Sequence, residues 1–471
     1  MKVLLIRPPH HHMITTNVPK FVDAEVGMYP PLGLLYVAAG LKSWTDAEVA
    51  LLDAPALHLD QQGIAKHIAH ARPDIVGIQT MTFTLIDAIE TVRTAKSACP
   101  STHVCLGGPH VNLFPQETLS IEGVESLVLG EGERTFAEMV NVLDEGGDIA
   151  YVAGVAVMRD GQLSTRDARP LETDLDSFPH PARDLIDNSL YWSALAKRNP
   201  ITTAMTSRGC PMKCIFCDRP HLGKSFRWRG ARSVVDEMED CINRGIREVF
   251  LYDDTFTINR QRILDIADAI KQRRLDIRWD VRARANDLDA ETVGAMKEGG
   301  VVRIHVGVES GSPRILKVLK KGITVEQAHN AFELCRKFRI TSLAYFMLGN
   351  PTETPEDIDM TMQFIRKCRA DYAHISITTP FPGTELYYMG LAQGLFQRDY
   401  WQDFAINPDE HFQPPAWTEN FTQEQLEAMR QEAYKAFYSR PSRLGRQLLA
   451  IRSFKELWTK ARIGAKLLFS R

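Results

Sequence analysis

Short apolar runs alternate with segments of helical periodicity along the first third of the chain. Five of these runs have the length of buried β-strands, and the segments between them place apolar residues three or four positions apart. The five runs are residues 2–7, 48–54, 74–82, 103–108 and 126–133. Strands that alternate with helices predict an α/β fold with an open, parallel, doubly wound sheet. Because ligands of such sheets bind at the carboxyl ends of the strands, we expect a binding site at that edge.

A second set of six apolar runs, again separated by helical segments, begins at residue 201. These runs are residues 201–207, 248–254, 277–283, 301–307, 340–348 and 373–379. Six consecutive βα units predict a partial (β/α)6 barrel, in which the active site lies at the carboxyl ends of the strands.

The segment between the two sets has a different character. Residues 152–172 predict a β-hairpin with its turn at Asp160-Gly161, a dipeptide typical of two-residue hairpin turns. Two closely spaced prolines, Pro179 and Pro181, then indicate a linker. The predicted divisions are residues 1–145 for the doubly wound domain, 146–198 for the hairpin and linker, 199–390 for the barrel and 391–471 for a C-terminal region.

Composition narrows the functional classes. Hydrophobic residues make up 44% and charged residues 24% of the chain, as in a globular protein. The net charge of −3 gives no support for nucleic-acid binding. The N-terminal apolar run stops at Pro8, and no stretch of about 18 apolar residues follows, so neither a signal peptide nor a membrane-spanning helix is expected. We therefore predict a cytoplasmic protein.

Three of the eight cysteines, Cys210, Cys214 and Cys217, lie in one short segment directly after the first barrel strand. Three thiolates at this C-x3-C-x2-C spacing can hold three irons of a cubane 4Fe–4S cluster and leave the fourth iron without a protein ligand. Chemistry at a cluster requires such an open iron, because a fully ligated cluster only transfers electrons. The alternative is a zinc site with His221 as the fourth ligand. We expect the other five cysteines to be buried structural residues.

The spacing C-x3-C-x-aromatic-C, with Phe216 in the aromatic position, resembles that of the radical SAM superfamily. The resemblance implies a 4Fe–4S cluster that binds S-adenosylmethionine (SAM) through its open iron. An electron from the cluster would cleave SAM to methionine and a 5′-deoxyadenosyl radical, which abstracts hydrogen from a substrate. Oxygen destroys such clusters, so activity is expected to be anaerobic.

Segments at later strand ends resemble the SAM-binding motifs of this superfamily, and Phe216 is a further candidate SAM contact. By this resemblance, Asp253 or Asp254 would bind the SAM amino group, Arg282 or Arg284 its carboxylate, Glu309 and Ser310 the ribose and carboxylate, and Gly349 the adenine. The alternative for the two aspartates is that they cap the following helix. The sequence assigns no catalytic acid or base.

The doubly wound domain, with residues 29–41 and 106–115, resembles the Rossmann-like cobalamin-binding domain that precedes TIM-like radical SAM barrels. This class includes the anaerobic magnesium-protoporphyrin monomethyl ester cyclases and many C- and P-methyltransferases. The resemblance implies a corrin that lies across the carboxyl ends of the first sheet. The candidate cobalamin-binding residues are Pro8, Pro9, Thr80, Thr82, Gly107, Gly108, His110, Gly130 and Gly132.

The Asp-x-His-x-x-Gly motif that supplies an axial histidine in other cobalamin proteins is absent from this sequence. We therefore expect the lower face of the corrin to be bare, water-bound or covered by an apolar side chain. The alternative for the whole domain is a fold that has lost its cofactor.

Residues 440–471 contain nine lysines or arginines and one acid, Glu456. Apolar residues recur there at helical spacing, so a basic amphipathic helical tail is predicted. Such a helix either packs on the barrel or makes peripheral contact with an anionic membrane surface.

These features together predict a cobalamin-dependent radical SAM methyltransferase. One SAM would methylate the reduced corrin, and a second would supply the radical that activates an unactivated carbon. The alternatives are radical oxidation or cyclisation without methyl transfer and, more remotely, a non-catalytic corrin or redox sensor. The expected partners are a small-molecule substrate, such as a lipid or a tetrapyrrole, and an electron donor such as flavodoxin or ferredoxin, with no nucleic acid. The sequence does not identify the substrate.

Overall fold

The computed structural model describes residues 1–15, 27–218 and 223–439. It contains two large sheets, each covered by helices. The predicted basic tail, residues 440–471, and the alternative zinc ligand His221 lie outside the described residues. Within the described residues, no helix is both long and apolar enough to cross a membrane.

The first sheet has seven strands, numbered here in chain order. They are β1 (Lys2–Arg7), β2 (Glu48–Asp53), β3 (Ile75–Gln79), β4 (His103–Gly107), β5 (Ser126–Val128), β6 (Val155–Arg159) and β7 (Gln162–Thr165). Their spatial order is β2-β1-β3-β4-β5-β6-β7, and the first five are parallel. The predicted doubly wound sheet is confirmed. The strand order reverses between β1 and β3, which is the switch point where such sheets bind ligands.

Helices cover both faces of this sheet. They are α1 (Leu32–Trp44), α2 (Gln61–Ala71), α3 (Leu85–Ala98), α4 (Pro109–Leu113), α5 (Pro115–Leu119) and α6 (Gly132–Asp144). α1 and α6 pack on one face, and α2 and α3 pack on the other. Parallel strands covered on both sides are apolar along their whole length, which explains the continuous runs in the sequence.

The hairpin formed by β6 and β7 belongs to the first sheet and not, as its sequence predicts, to the linker segment. Its turn residues, Asp160 and Gly161, have φ values of 51° and 74°, as a type I′ turn requires. β6 pairs antiparallel with β5 through Ala156 and Leu127. The apolar face of β6 is buried in the same core as α1 and α6, so the sheet continues to residue 165 rather than ending near 145.

Strand β5 is shorter than the apolar run that predicted it. The strand ends at Val128, and Glu131 is the N-cap residue of α6. Glu133 lies in the first turn of that helix. An acidic side chain is favoured there by the helix dipole, so the second half of the predicted strand is a loop and a helix start.

The second sheet has six parallel strands in chain order. They are β8 (Ile201–Ala204), β9 (Glu248–Leu251), β10 (Arg278–Ala283), β11 (Val301–Glu309), β12 (Thr341–Leu348) and β13 (Tyr372–Ile377). The helices around it are α7 (Ala231–Asn243), α8 (Arg260–Gln272), α9 (Ala290–Glu298), α10 (Pro313–Val318), α11 (Val325–Lys337) and α12 (Pro355–Lys367). β8 and β13 are the two ends of this sheet, which confirms a partial (β/α)6 barrel.

The C-terminal region is helical in its described part, which ends before the predicted basic tail. Its helices are α13 (Glu385–Ala392), α14 (Tyr400–Ile406) and α15 (Gln423–Tyr438). α15 lies along β13, where the Tyr434 hydroxyl accepts a hydrogen bond from Ile375 N at 3.0 Å. The Tyr438 hydroxyl accepts one from Ala373 N at 3.2 Å. These two hydroxyl groups pair with backbone groups on the outer side of β13.

The carboxyl end of the first sheet packs against the barrel. Arg7, the last residue of β1, donates a hydrogen bond from Nη1 to Tyr29 O at 2.9 Å. The Tyr29 ring lies 5.5 Å from the Phe250 ring and 6.2 Å from the Tyr252 ring, measured between centroids. The edge at which the first domain is expected to bind its ligand is therefore in contact with the second domain.

Candidate active site

The three cysteines of the C-x3-C-x2-C motif lie on the loop between two short antiparallel segments, Ser207–Arg208 and Arg227–Trp228. Cys210 and Cys214 are 7% and 9% exposed, and Cys217 is exposed. All three are thiols rather than disulfides. Three thiols on one loop are the donor set that a 4Fe–4S cluster with one open iron requires. The residues present therefore fit such a cluster.

Backbone hydrogen bonds hold the middle of the cysteine loop. Ile215 N donates to Leu319 O at 3.2 Å, and Leu386 N donates to Ile215 O at 2.9 Å. The Ile215 side chain is 2% exposed, and the half-buried Phe216 packs in the same apolar cluster. Gly209, directly before the first cysteine, has a φ of 79°, which glycine adopts without strain. Residues 209–216 of the loop are thus held by contacts with the rest of the protein.

The two adjacent aspartates after β9 have different environments. Asp253 is completely buried and accepts hydrogen bonds from Thr206 N, Thr206 Oγ1 and Ser207 Oγ, each at 2.6 Å. Its oxygens are occupied within the protein, which corrects the expectation that either aspartate could contact SAM. Asp254 is exposed and accepts a hydrogen bond from Gly209 N at 3.1 Å. The structure therefore favours Asp254 as the group that faces the cysteine loop.

The two candidate arginines also differ. Arg282 is half-buried, donates from Nη1 to Leu251 O at 2.5 Å, and places its guanidinium carbon 4.7 Å from the Tyr252 ring centroid. Arg284 is 7% exposed and donates from Nη2 to Lys321 O at 2.5 Å. Arg284 therefore links the loop after β10 to the loop after α10. The described hydrogen bonds of Arg282 use one nitrogen, Nη1, whereas those of Arg284 use both Nε and Nη2. More N–H donors of Arg282 are therefore left to bind a carboxylate.

Glu309 ends β11 with a φ of 69°, a strained value for a residue other than glycine. The pairing of β11 with β12 shifts register between Gly307 and Glu309, and such a bulge redirects a side chain. Glu309 Oε1 accepts a hydrogen bond from Lys321 Nζ at 2.7 Å. Lys321 Nζ also lies 5.7 Å from the Phe216 ring centroid. Glu309 and Lys321 therefore lie beside the cysteine loop. No sequence motif marks Lys321, which is recognised as part of the site only from its position in the fold.

Ser310 and Gly349 have packing roles that the sequence did not indicate. Ser310 is completely buried, and its Oγ lies 3.0 Å from Thr361 Oγ1. Gly349 has a φ of 77°, and a Cβ there would lie 2.8 Å from Leu426 Cδ1 on α15. Contacts within the protein account for both residues, so the structure gives no support for their predicted contacts with SAM.

The glycines at the carboxyl ends of β4 and β5 fall into two groups. A Cβ on Gly130 would have no described protein atom within 4 Å, and one on Gly107 would lie 3.8 Å from its nearest neighbour, Val128 O. A Cβ on Gly108 would lie only 2.7 Å from Thr80 O, so strand packing requires that glycine. Gly107 and Gly130 therefore leave room for a large ligand to approach the backbone, as cobalamin would require.

Asn112 joins the two loops that carry these glycines. Its Nδ2 donates to Gly108 O at 2.9 Å, and its Oδ1 accepts from Gly130 N at 2.7 Å. Gly132 follows in the first turn of α6, where a Cβ would lie 3.2 Å from the Val37 side chain. The loops are therefore held in place by the protein itself. Asn112 belongs to no recognised motif, so its role is visible only in the fold.

The remaining candidate cobalamin residues, Pro8, Pro9, Thr80, Thr82 and His110, are all buried. Thr82 Oγ1 lies 3.1 Å from His110 Nδ1, which ties the loop after β3 to α4. Among the described residues, none hydrogen-bonds His110 Nε2, and the ring is completely enclosed. These five residues are therefore packed inside the protein at the carboxyl end of the sheet. The enclosed ring also corrects the expectation that His110 contacts the corrin.

The buried His110 ring makes the protein sensitive to acid. Burial lowers the pKa of His110 to about 4, whereas histidine in an unfolded chain has a pKa of about 6.5. The unfolded state therefore binds more protons between these pH values, and stability should fall with decreasing pH by up to about 1.4 kcal/mol per unit. Urea denaturation at pH 7 and at pH 5 measures this effect. Between the two pH values, the free energy of unfolding should fall less in His110→Gln than in the unmodified protein. The exposed control His70→Gln should lose as much as the unmodified protein. Equal losses in all three would contradict this assignment.

Two family models match two separate parts of the chain. Residues 205–365 match the radical SAM superfamily, and residues 20–140 match the B12 binding domain. An uncharacterized methyltransferase of Pyrococcus horikoshii is 36% identical over 94% of this chain and 93% of its own length. The anaerobic magnesium-protoporphyrin IX monomethyl ester cyclase of Rubrivivax gelatinosus is 28% identical over 82% of this chain and 69% of its own length.

A solved structure has a similar fold. The radical S-adenosylmethionine methyltransferase TsrM from Kitasatospora setae, with cobalamin and a [4Fe-4S] cluster bound, aligns with a TM-score of 0.67 and 21% identity. The alignment covers 83% of this chain and 78% of that chain. The arrangement of a doubly wound domain followed by an open barrel is therefore a known fold.

Proposed function

Because the chain belongs to the radical SAM superfamily and is a cobalamin-dependent enzyme of that family, we propose that it methylates an unactivated carbon of a small molecule. Its cofactors are a 4Fe–4S cluster, SAM and cobalamin. It is thus an enzyme rather than a non-catalytic sensor, and its family gives no support for zinc. The similar protein of Pyrococcus horikoshii is named a methyltransferase, which supports the proposed reaction.

The observation that carries this proposal is the contact between the two candidate cofactor sites. Arg208, two residues before the first cysteine, forms an ion pair with Glu131 at 2.9 Å. Glu131 lies between Gly130 and Gly132 on the loop where cobalamin is expected. Group transfer between two bound cofactors and a substrate requires all three to be held close together. The short connection between the sites supports such a transfer.

The proposed reaction converts one C–H bond of the substrate into a C–CH3 bond. When bound, the cluster supplies the electron that cleaves one SAM, and cobalamin carries the methyl group of a second. The other products are S-adenosylhomocysteine, 5′-deoxyadenosine and methionine. Two electrons from a reduced flavodoxin or ferredoxin balance the two sulfonium charges that are lost. The substrate hydrogen leaves in 5′-deoxyadenosine, so the protein needs to supply no acid or base.

Within this proposal, the side chains around the barrel end have separate roles. Cys210, Cys214 and Cys217 hold three irons of the cluster. Asp254 accepts hydrogen bonds from the SAM amino group, and Arg282 pairs with the SAM carboxylate.

Glu309 and Lys321 are proposed to orient the ribose of SAM. A carboxylate can accept hydrogen bonds from both ribose hydroxyls, as in dinucleotide-binding folds. Lys321 holds the Glu309 carboxylate in one position, and the strained backbone at Glu309 is a feature common at ligand sites.

In the first domain, Gly107 and Gly130 are proposed to let cobalamin approach the backbone, while Asn112 fixes their loops. Met81, at the carboxyl end of β3, is 37% exposed. It would offer an apolar side chain to cobalamin bound at the switch point beside β1.

An anaerobic assay with methyl-labelled SAM tests the proposed reaction. The protein is reconstituted with iron, sulfide and hydroxocobalamin and reduced with flavodoxin. We expect it to form both S-adenosylhomocysteine and 5′-deoxyadenosine and to transfer the label to a carbon atom in a bacterial lipid and tetrapyrrole extract. Omission of cobalamin is the control and should stop S-adenosylhomocysteine formation. Production of 5′-deoxyadenosine alone, with no labelled product, would contradict methyl transfer.

That contradictory result would favour the second candidate function, radical oxidation or cyclisation. The identity of 28% to a magnesium-protoporphyrin IX monomethyl ester cyclase supports this alternative. Magnesium-protoporphyrin IX monomethyl ester is therefore the first defined compound to test. Its conversion without label would identify an oxidative reaction.

A further inference from the structure

Four charged side chains join the first domain to the cysteine loop, and we refer to Glu131, Glu133, Arg208 and Arg227 as the clasp. Arg208 Nη1 lies 2.9 Å from Glu131 Oε1, and Arg208 Nη2 lies 2.5 Å from Glu133 Oε1. Arg227 Nη1 lies 2.9 Å and 3.1 Å from the two carboxylate oxygens of Glu131. Glu131 therefore bridges both arginines, and Arg208 bridges both glutamates.

The clasp is almost completely buried. Each of its side chains is only 6–7% exposed, and its two positive and two negative charges cancel. The Arg208 guanidinium carbon lies 5.2 Å from the Tyr36 ring centroid and 5.0 Å from that of Phe178. Burial alone would raise the pKa of Glu133, but the neighbouring Arg208 outweighs that effect and lowers it. Ion pairs in such surroundings are screened little by solvent.

The clasp lies close along the chain to both candidate cofactor sites. Arg208 precedes Cys210 by two residues and pairs with Arg227 in the antiparallel segments that begin and end the cysteine loop. Glu131 directly follows Gly130, whose α-carbon faces open space. A displacement of either loop would therefore be transmitted to the other.

The covalent route between the two loops is long by comparison. It passes through the hairpin of β6 and β7 and the linker before it reaches Ser207. The clasp also holds this connection, since Arg227 Nη1 donates to Glu172 O at 2.7 Å and Glu131 Oε2 accepts from Glu172 N at 3.0 Å. The relative position of the two sites thus depends on the clasp more directly than on the chain between them.

We propose that the clasp sets the distance between bound cobalamin and the cluster that holds SAM, and thereby controls methyl transfer; this inference rests on the proposed function. Direct transfer requires reacting atoms within about 3–3.5 Å, and a misplacement of about 1 Å can cost about a hundredfold in rate. The clasp residues touch no reacting atom, so they are positioning residues.

Three single substitutions test the clasp. Glu131→Asp shortens the bridging side chain by one methylene but keeps its charge, and Glu131→Gln removes the charge. Glu138→Gln is the matched control, because Glu138 lies on the same helix α6 and pairs with Arg169 at the surface. Each protein is reconstituted with iron, sulfide and hydroxocobalamin, and its iron and cobalamin contents are measured.

Two readouts follow. The first needs no turnover: in the reduced protein, the magnetic coupling between Co(II) and the reduced cluster in the electron paramagnetic resonance spectrum reports their separation. The second is the molar ratio of S-adenosylhomocysteine to 5′-deoxyadenosine formed from SAM. We expect Glu131→Asp to change the coupling and to lower the ratio at least about tenfold. Glu138→Gln should change neither.

A Glu131→Asp protein with full cofactor content, unchanged coupling and an unchanged product ratio would overturn the proposal, even if it unfolded at a lower temperature. If Glu131→Gln does not fold, the aspartate variant decides the question by itself. If the unmodified protein forms 5′-deoxyadenosine but no S-adenosylhomocysteine, the proposed methyl transfer fails. In that case the coupling measurement still supports or overturns the role of the clasp.

Discussion

Replacing Cys214 with alanine is expected to lower the formation of 5′-deoxyadenosine from SAM at least about a thousandfold. Two thiolates cannot hold a cubane cluster in one position, and without the cluster no electron reaches the sulfonium. Iron content, measured on anoxically reconstituted protein, should fall from about four per chain to a small fraction of that value.

Cys99→Ala is the matched control for this experiment. Cys99 is a half-buried cysteine outside the loop, so its replacement should leave both iron content and SAM cleavage unchanged. Persistent cleavage in Cys214→Ala would contradict the assignment of the loop. Zinc instead of iron in the unmodified protein would contradict it equally.

Replacing each of the two adjacent aspartates by asparagine is expected to change a different property: stability for Asp253 and the KM for SAM for Asp254. Asp253 accepts three hydrogen bonds of 2.6 Å in a fully buried position, so Asp253→Asn should lower the free energy of unfolding by about 3–5 kcal/mol. Asp254 is exposed, and Asp254→Asn should leave stability nearly unchanged. It should instead raise the KM for SAM about 10- to 100-fold. This factor corresponds to the free energy contributed by a hydrogen bond to a charged group.

Urea denaturation and a SAM titration of 5′-deoxyadenosine formation separate the two variants. Each aspartate serves as the control for the other, because they are neighbours of the same type. If Asp253→Asn raised the KM for SAM at normal stability, or if Asp254→Asn unfolded the protein, the assignment would be reversed.

Both sheets could be predicted because parallel strands buried on two faces leave a continuous apolar signal in the sequence. β3 is an example, since Ile75, Val76 and Ile78 are almost completely buried. The place of the hairpin could not be predicted in the same way. Its turn is a local signal at Asp160 and Gly161, but its pairing with β5 depends on contacts between residues far apart in the chain.

The candidate site could be predicted only where its signal is local. The cysteine spacing identifies the loop, because three ligands fall within a few residues. The sequence cannot show which of Asp253 and Asp254 accepts hydrogen bonds from Thr206 and Ser207, since the two aspartates are adjacent and of the same type. Gly349 is required by close packing against α15, a helix that begins more than seventy residues later in the chain. Lys321 and Asn112 belong to no sequence motif, and only the fold brings them to the candidate site.

The helix α15 has a practical consequence for work with the isolated barrel. Tyr434 and Tyr438 hydrogen-bond to backbone groups of β13 on the side where the described residues provide no further strand. A recombinant fragment ending at residue 390, the predicted end of the barrel, would lack both tyrosines. Its bare strand could then pair with the same strand of another molecule, the usual first step of aggregation. Soluble production of the catalytic domain therefore requires the chain to extend at least to Tyr438.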